Sequence, residues 1–167
     1  MQKSTHFNPR GETHDKGLSE NADIKAPAKK ILIAENDPLN QMLMNLHLEN
    51  FGFDITIVAD GREAIERAAA EHFDLIFMDI RMPNVNGRDA TRYIKENGIT
   101  TPIIAMTADV ADGGEQRCFD AGCDAFLAKP IIKKELYGFL EQYLDCEFDF
   151  SKKTRTPGRG DNRFAGV

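Results

Sequence analysis

The 167-residue chain predicts an α/β fold, a single doubly wound sheet of five parallel strands with helices on both faces. Three observations carry that expectation. Five short apolar runs rich in β-branched residues recur from residue 29 onward, each is followed by a longer amphipathic stretch, and turn-forming residues lie between them. This alternation is the mark of βαβ units, because strands buried on both faces read as continuous apolar runs and parallel neighbours need a crossover helix.

Strands are expected at residues 31–34, 55–58, 75–78, 103–106 and 125–128, and helices at 38–51, 62–71, 87–97, 112–121 and 133–144. Asp37-Pro38 opens the first helix with an N-cap and a proline at the first helical position. Gly52, Gly98 and Gly122 fall just past helix ends, where a left-handed residue is favoured. Along the first helix Leu39, Met42, Leu43 and Leu46 share a face, and a stripe at this spacing reads as core packing. The fourth helix is the weakest, because Gly113-Gly114 sits in its first turn and each Gly costs about 1 kcal/mol against Ala.

The composition, 41% hydrophobic and 29% charged, suits one folded domain with extra residues rather than a second core. Residues 1–28 and 146–167 lack periodicity and are expected to be disordered, leaving 29–145 as the domain. That central part carries 12 basic and 20 acidic side chains, which argues against a nucleic-acid surface. The weakly basic tail, with Lys152, Lys153, Arg155 and Arg159, reads as solvated. Cys118, Cys123 and Cys146 form neither a paired disulfide framework nor a zinc spacing, so a reduced, cytoplasmic setting is expected. No apolar run reaches the roughly 20 residues of a membrane span, and the N-terminal MQKSTHFNPR lacks a signal peptide's apolar core.

In open parallel sheets, ligands bind where loops leave the carboxyl ends of the strands. The residues at those ends are Glu35, Asn36 and Asp37 after the first strand, Asp79 after the third, Thr107 after the fourth, and Lys129 followed by Pro130 after the fifth. Each type has a task. Hard oxygens of Glu35 and Asp79 suit Mg²⁺, which takes one or two carboxylates together with water and phosphate oxygens. A carboxylate, ionised at neutral pH without help from a base, is also a nucleophile toward phosphorus. Lys129 and the metal would neutralise charge on a transferring phosphoryl group while Thr107 donates a hydrogen bond to it.

The segments ILIAENDPLNQ, DLIFMDIRMPNVNG, PIIAMTAD and FLAKP resemble, in order and spacing, the acidic, phosphoacceptor, Thr and Lys-Pro segments of response-regulator receiver domains. The resemblance covers residues 29–145 and implies a flavodoxin-like receiver fold. It implies Asp79 as phosphoacceptor, Thr107 and Lys129 as phosphoryl contacts, Glu35 as part of the metal-binding acidic pair, and the Arg81 backbone carbonyl as a further metal contact. It also implies Phe126 as an aromatic switch acting with Thr107, and a cis-proline turn at Lys129-Pro130. The residues around Asn40 and Gln41 are similar to receivers of hybrid sensor kinases.

One position departs from the family pattern: Asn36 stands where a second acid is usual, and Asp37 is a further candidate oxygen ligand. The histidines His6, His14, His47 and His72 are dispersed away from the strand ends. A phosphodonor histidine therefore has to come from a partner, a histidine kinase or a histidine phosphotransfer protein, and the output is expected to be a downstream protein contact. The alternative is a degenerate receiver, an interaction module that works without phosphorylation, which Asn36 favours. A phosphatase with an Asp nucleophile would carry a second Asp where Arg81 stands, and no glycine-rich phosphate loop supports a nucleotide-binding domain. Arg81 and Asp109, two residues beyond Asp79 and Thr107, are expected at the rim of the site.

Overall fold

The structure, a computed structural model, describes residues 28–108, 113–149 and 154–157, with backbone alone for 146–149 and 154–157. Each of the five apolar runs is a strand: β1 Lys30–Ala34, β2 Asp54–Val58, β3 Leu75–Asp79, β4 Ile103–Thr107 and β5 Ala125–Ala128. The helices between and after them are α1 Pro38–Leu48, α2 Gly61–Ala70, α3 Gly87–Glu96, α4 Gly114–Asp120 and α5 Lys133–Leu144. All five strands pair in parallel in the order β2-β1-β3-β4-β5. The chain thus winds outward both ways from the β1/β3 junction, where a crevice opens at the carboxyl ends of the strands.

Strand alternation divides the core into two layers, since successive side chains point to opposite faces. Ile31, Ile33, Leu75, Phe77, Ile104, Met106 and Leu127 face α1 and α5, packing on Met44, Leu48, Leu136 and Leu140. Leu32, Ala34, Ile76, Met78, Ile103 and Ala105 face the other way, onto Ala64, Ala68, Ala90, Ile94 and Cys118. Glu35, Asp79 and Lys129 each stand two residues beyond a member of the first layer, namely Ile33, Phe77 and Leu127. The same alternation that builds the core therefore delivers all three charged groups to one side of the sheet edge.

The structure corrects the reading of α1. Leu39, Met42 and Leu46 are 73%, 66% and 58% exposed, Leu43 is half-buried, and the residues that enter the core are Met44 and Leu48. The helix is apolar on two opposite faces, so spacing alone did not reveal which one meets the sheet. It also ends earlier than predicted: Glu49–Phe51 form a single 3₁₀ turn before Gly52 at φ 68°. In α4, Gly113 takes φ 76° at the N-cap and helical geometry starts only at Gly114. Two strands were not expected at all. β6 Cys146–Asp149 and β7 Thr154–Pro157 pair antiparallel within the stretch read as a disordered tail. Thr154, Arg155 and Thr156 alternate β-branched and long side chains, which suits a strand without supplying the apolar periodicity used to find one.

Candidate functional site

The register of the sheet sets the site. Ala34 pairs with Met78, so Glu35 and Asp79 emerge side by side from adjacent central strands. Lys129 leaves β5, two strand spacings from β3 and hence about 10 Å away along the sheet. Its four-carbon stem crosses that gap over β4. The ammonium Nζ donates to Asp79 Oδ2 at 2.8 Å and pairs with Glu35 Oε2 at 2.7 Å. The Lys129 backbone is held by its N–H, which donates to Thr107 O at 2.8 Å, and the Lys129-Pro130 bond is cis.

Glu35 is fully buried. Its Oε1 accepts from the Asp37 N–H at 2.9 Å, and its carbonyl accepts from Gln41 Nε2 at 2.6 Å. Oε2 has the Lys129 ammonium beside it but no hydrogen bond of good geometry. Burial pushes the Lys129 pKa down; the hydrogen bond to Asp79 and the charges of Asp79 and Glu35 outweigh it and hold the pKa above the ordinary lysine value. The cluster sets two carboxyl groups, Glu35 and Asp79, against the one ammonium of Lys129.

Asp79 is 4% exposed and its Oδ1 accepts from the Arg81 N–H at 3.0 Å. Ile80 and Met82 on either side of Arg81 are buried, which pins the Arg81 carbonyl while its side chain stands exposed at the rim. Asn36, also exposed, places a terminal side-chain atom 3.0 Å from Arg81 O and 3.2 Å from Asp79 Oδ2. Asp37 caps α1, its Oδ1 accepting from the Leu39 N–H at 2.8 Å. Together with Asn40 and Ala108 these residues line an open cleft of about 230 Å³.

Of the predicted site residues, Glu35, Asn36, Asp79, Arg81 and Lys129 meet directly, and Thr107 is buried at the end of β4 next to them. Asp37 borders the cleft, but one of its oxygens is committed to the helix cap. Phe126 stands apart: half-buried, it packs edge-on to Phe119 of α4 with ring centroids 6.3 Å apart and lines a separate cleft with Phe139 of α5. Asp109, expected at the rim, lies outside the described residues.

Sequence reading missed the supports. Gly87 lies so close under Asp79 that a Cβ would run into the Asp79 carbonyl oxygen, and Gly61 meets the Val85 carbonyl in the same way. Asn84, at φ 57°, donates from Nδ2 to Asp60 Oδ2 at 3.0 Å and ties the loop after β3 to the N-terminus of α2. The signal for Asn84 and Gly87 was present in the turn-rich PNVNG, since Asn and Gly are the residues that tolerate left-handed or crowded backbone.

The donor set fits a small hard cation. Arg81 O and Asp79 Oδ2 lie 3.0 and 3.2 Å from one terminal atom of the Asn36 carboxamide, the Glu35 carboxylate shares Lys129 with Asp79, and Mg²⁺ is held by one or two carboxylates and neutral oxygens. Among the described residues no group of three or more His, Cys, Asp or Glu gathers as a metal site.

Residues 31–141 match the response regulator receiver domain, and the chain belongs to that family. It is 34% identical to the polar-differentiation response regulator DivK of Brucella ovis over 118 residues, covering 70% of this chain and 96% of DivK. It is 32% identical to the sensor histidine kinase RcsC of Escherichia coli over 132 residues, but spans only 13% of that kinase. Among solved structures it is similar to the receiver domain of the sensor histidine kinase PA1611 from Pseudomonas aeruginosa, crystallised with a magnesium ion coordinated in its active site cleft. That similarity has a TM-score of 0.66 at 38% identity and covers 71% of this chain and 98% of the other. No helix among the described residues is long and apolar enough to cross a membrane.

Proposed function

We propose that this chain is a phosphorylation-dependent signalling receiver that takes a phosphoryl group from a partner's phosphohistidine onto Asp79. A carboxylate oxygen of Asp79 forms the new O–P bond as the N–P bond to the donor imidazole breaks. Water later hydrolyses the acyl phosphate and returns Asp79 to its carboxylate. The observation that carries this reading is the placement of Asp79 between the Lys129 ammonium at 2.8 Å and the Arg81 N–H at 3.0 Å, at the open end of a β1/β3 crevice. Both donors are fixed before the reaction, and charge stabilisation of this preorganised kind is what phosphoryl transfer requires.

Asp79, Asn36, the Arg81 carbonyl and Glu35 would hold Mg²⁺, whose bound charge would neutralise the phosphoryl oxygens. Lys129 would contact the phosphoryl group from the other side, and Thr107 would donate to one of its oxygens. The exposed stripe of Leu39, Met42 and Leu46 runs about 10 Å along α1 from the mouth of the cleft. Ile132, three residues past Lys129, is 54% exposed. An apolar surface beside a phosphoacceptor suits the apolar face of a helix that carries the donor histidine. That donor is a histidine kinase or a histidine phosphotransfer protein, and the output is a contact with a downstream protein.

A second reading, a degenerate receiver that binds partners without phosphorylation, is favoured by one observation: Asn36 removes a charge from the metal ligands. Incubation with a small-molecule phosphodonor and Mg²⁺, followed by intact-protein mass spectrometry, separates the two. A phosphoryl mass gain in the parent that is absent in Asp79→Asn is expected. Equal uptake by both, or none by the parent, overturns the phosphoacceptor reading.

A further inference from the structure

We propose that the Asn36 carboxamide stands in for the cation: its NH₂ bridges Asp79 and Arg81 until a divalent cation binds, and a half-turn of the amide then presents its oxygen to that cation. The proposal deepens the reading of the cleft as a Mg²⁺ site and rests on it.

The argument begins with one atom position. The terminal atom of Asn36 that lies 3.0 Å from Arg81 O and 3.2 Å from Asp79 Oδ2 faces two acceptors. Filled by nitrogen, the position donates both of its hydrogens and satisfies both oxygens. Filled by oxygen, it brings three oxygens together, an arrangement that is favourable only around a cation. An asparagine amide supplies either atom, because its nitrogen and oxygen are nearly the same size and its terminal torsion is broad and roughly two-fold. Asn36 is exposed at the mouth of the cleft, where solvent reaches the amide.

An acid at this position has no such second state, being an acceptor only. It would set a third carboxylate beside Glu35 and Asp79 with Lys129 as their shared cation. The residue that differs from the family pattern thus shifts cost between two conditions. Without a cation Asn36 adds two hydrogen bonds where an acid would add repulsion; with a cation it offers a neutral oxygen where an acid would offer a charged one. The consequence is a receiver whose site is ordered without Mg²⁺ and engages it only at higher concentration.

The test uses the full chain and does not depend on phosphorylation. Thermal melts of the parent, N36D and N36A are recorded in EDTA and across a Mg²⁺ titration, with the Asn36 side-chain NH₂ followed by ¹H–¹⁵N spectroscopy. In EDTA the parent is expected to melt highest and N36D lowest. Mg²⁺ then raises the melting temperature of N36D most and binds it at least about tenfold more tightly than the parent. The parent's Asn36 NH₂ resonances move as Mg²⁺ saturates. N36D as stable as the parent in EDTA, or NH₂ resonances unmoved at saturation, overturns the proposal. If N36D does not fold, a lower melting temperature of N36A than of the parent in EDTA and the NH₂ shift carry the test, and their absence overturns it equally. Mg²⁺ that shifts none of the melts refutes both the cation site and the half-turn. Normal Mg²⁺ responses combined with no phosphoryl uptake at Asp79 refute only the phosphoacceptor reading.

Discussion

At the scale of single residues, Lys129 is the cation on which the site depends. It faces two carboxylates, Glu35 and Asp79, that are 0% and 4% exposed. Its pKa is raised by those partners, so the stabilisation is present in full below the ordinary lysine value of 10.5 and is lost only as pH rises past the folded value. Lys129→Met removes it at any pH. The expected loss is on the order of 2 kcal/mol, less than the roughly 3–5 kcal/mol of a fully buried broken pair because the lysine keeps some contact with water. Added Mg²⁺ should restore part of the loss, which urea denaturation with and without Mg²⁺ would read. His47 works in the opposite direction. Burial first, and the charge of Lys133 second, lower its pKa below 6.5. The unfolded chain therefore takes up this proton first, and stability falls as pH drops through 6.5 toward the folded value. His47→Gln should flatten the decline in melting temperature between about pH 7.5 and pH 5. An unchanged slope would show that other groups govern it.

At the scale of elements, the loop from Asp79 to α3 is built by close approach. Gly87 places backbone directly under the Asp79 carbonyl, and its N–H donates to Ile80 O at 3.1 Å. Gly87→Ala is expected to cost about 1–3 kcal/mol, as overpacking does, and to slow phosphorylation by displacing Asp79. A melting temperature and a phosphorylation rate that both match the parent would contradict it. Along α1 the expectation is reversed. Met42 is 66% exposed, so Met42→Lys should change stability by no more than about 0.5 kcal/mol. It should still slow transfer from a phosphohistidine protein several-fold while leaving phosphorylation by a small-molecule donor untouched. Equal slowing with both donors would place the defect in the site rather than in docking.

At the scale of the whole molecule, the question is how an event at Asp79 reaches a surface. β4 carries Thr107 at the site and pairs with β5, where Ala105 stands opposite Phe126. Phe126 in turn touches Phe119 of α4, a helix of only seven residues whose N-cap Gly113 has a left-handed backbone. A hydrogen bond from Thr107 to a phosphoryl oxygen would draw in the end of β4 and give Phe126 room to turn inward. Short elements with few buried contacts are the ones that open at low free energy. Binding of beryllofluoride with Mg²⁺ should therefore alter amide exchange across residues 113–120 and at Phe126. Changes confined to residues 80–86 would rule out this coupling. Arg81 stands exposed at the water-accessible rim, and Arg81→Ala is expected to change the phosphoaspartate half-life several-fold without moving the melting temperature, since an exposed charge contributes at most about 1 kcal/mol.

By itself the sequence determined the five βα units, because period and length of apolar runs are local properties, and it determined the candidate site, because a parallel sheet sends every strand end to one edge. Glu35, Asp79, Thr107 and Lys129 were legible for that reason. Tertiary structure decided what local pattern leaves open. Met44 and Leu48, rather than Leu39, Met42 and Leu46, enter the core, since a helix apolar on two faces is oriented only by what it packs against. Asp37 turns to the helix cap and Asn36 to the Asp79 and Arg81 oxygens, a choice between neighbouring side chains that depends on backbone direction at the end of β1. Gly61 and Gly87 matter through backbone atoms distant in the chain, and β6 and β7 form by pairing with each other. Those contacts form only in the folded chain, so neighbouring residues can mark a crowded turn without naming the atoms that will meet there.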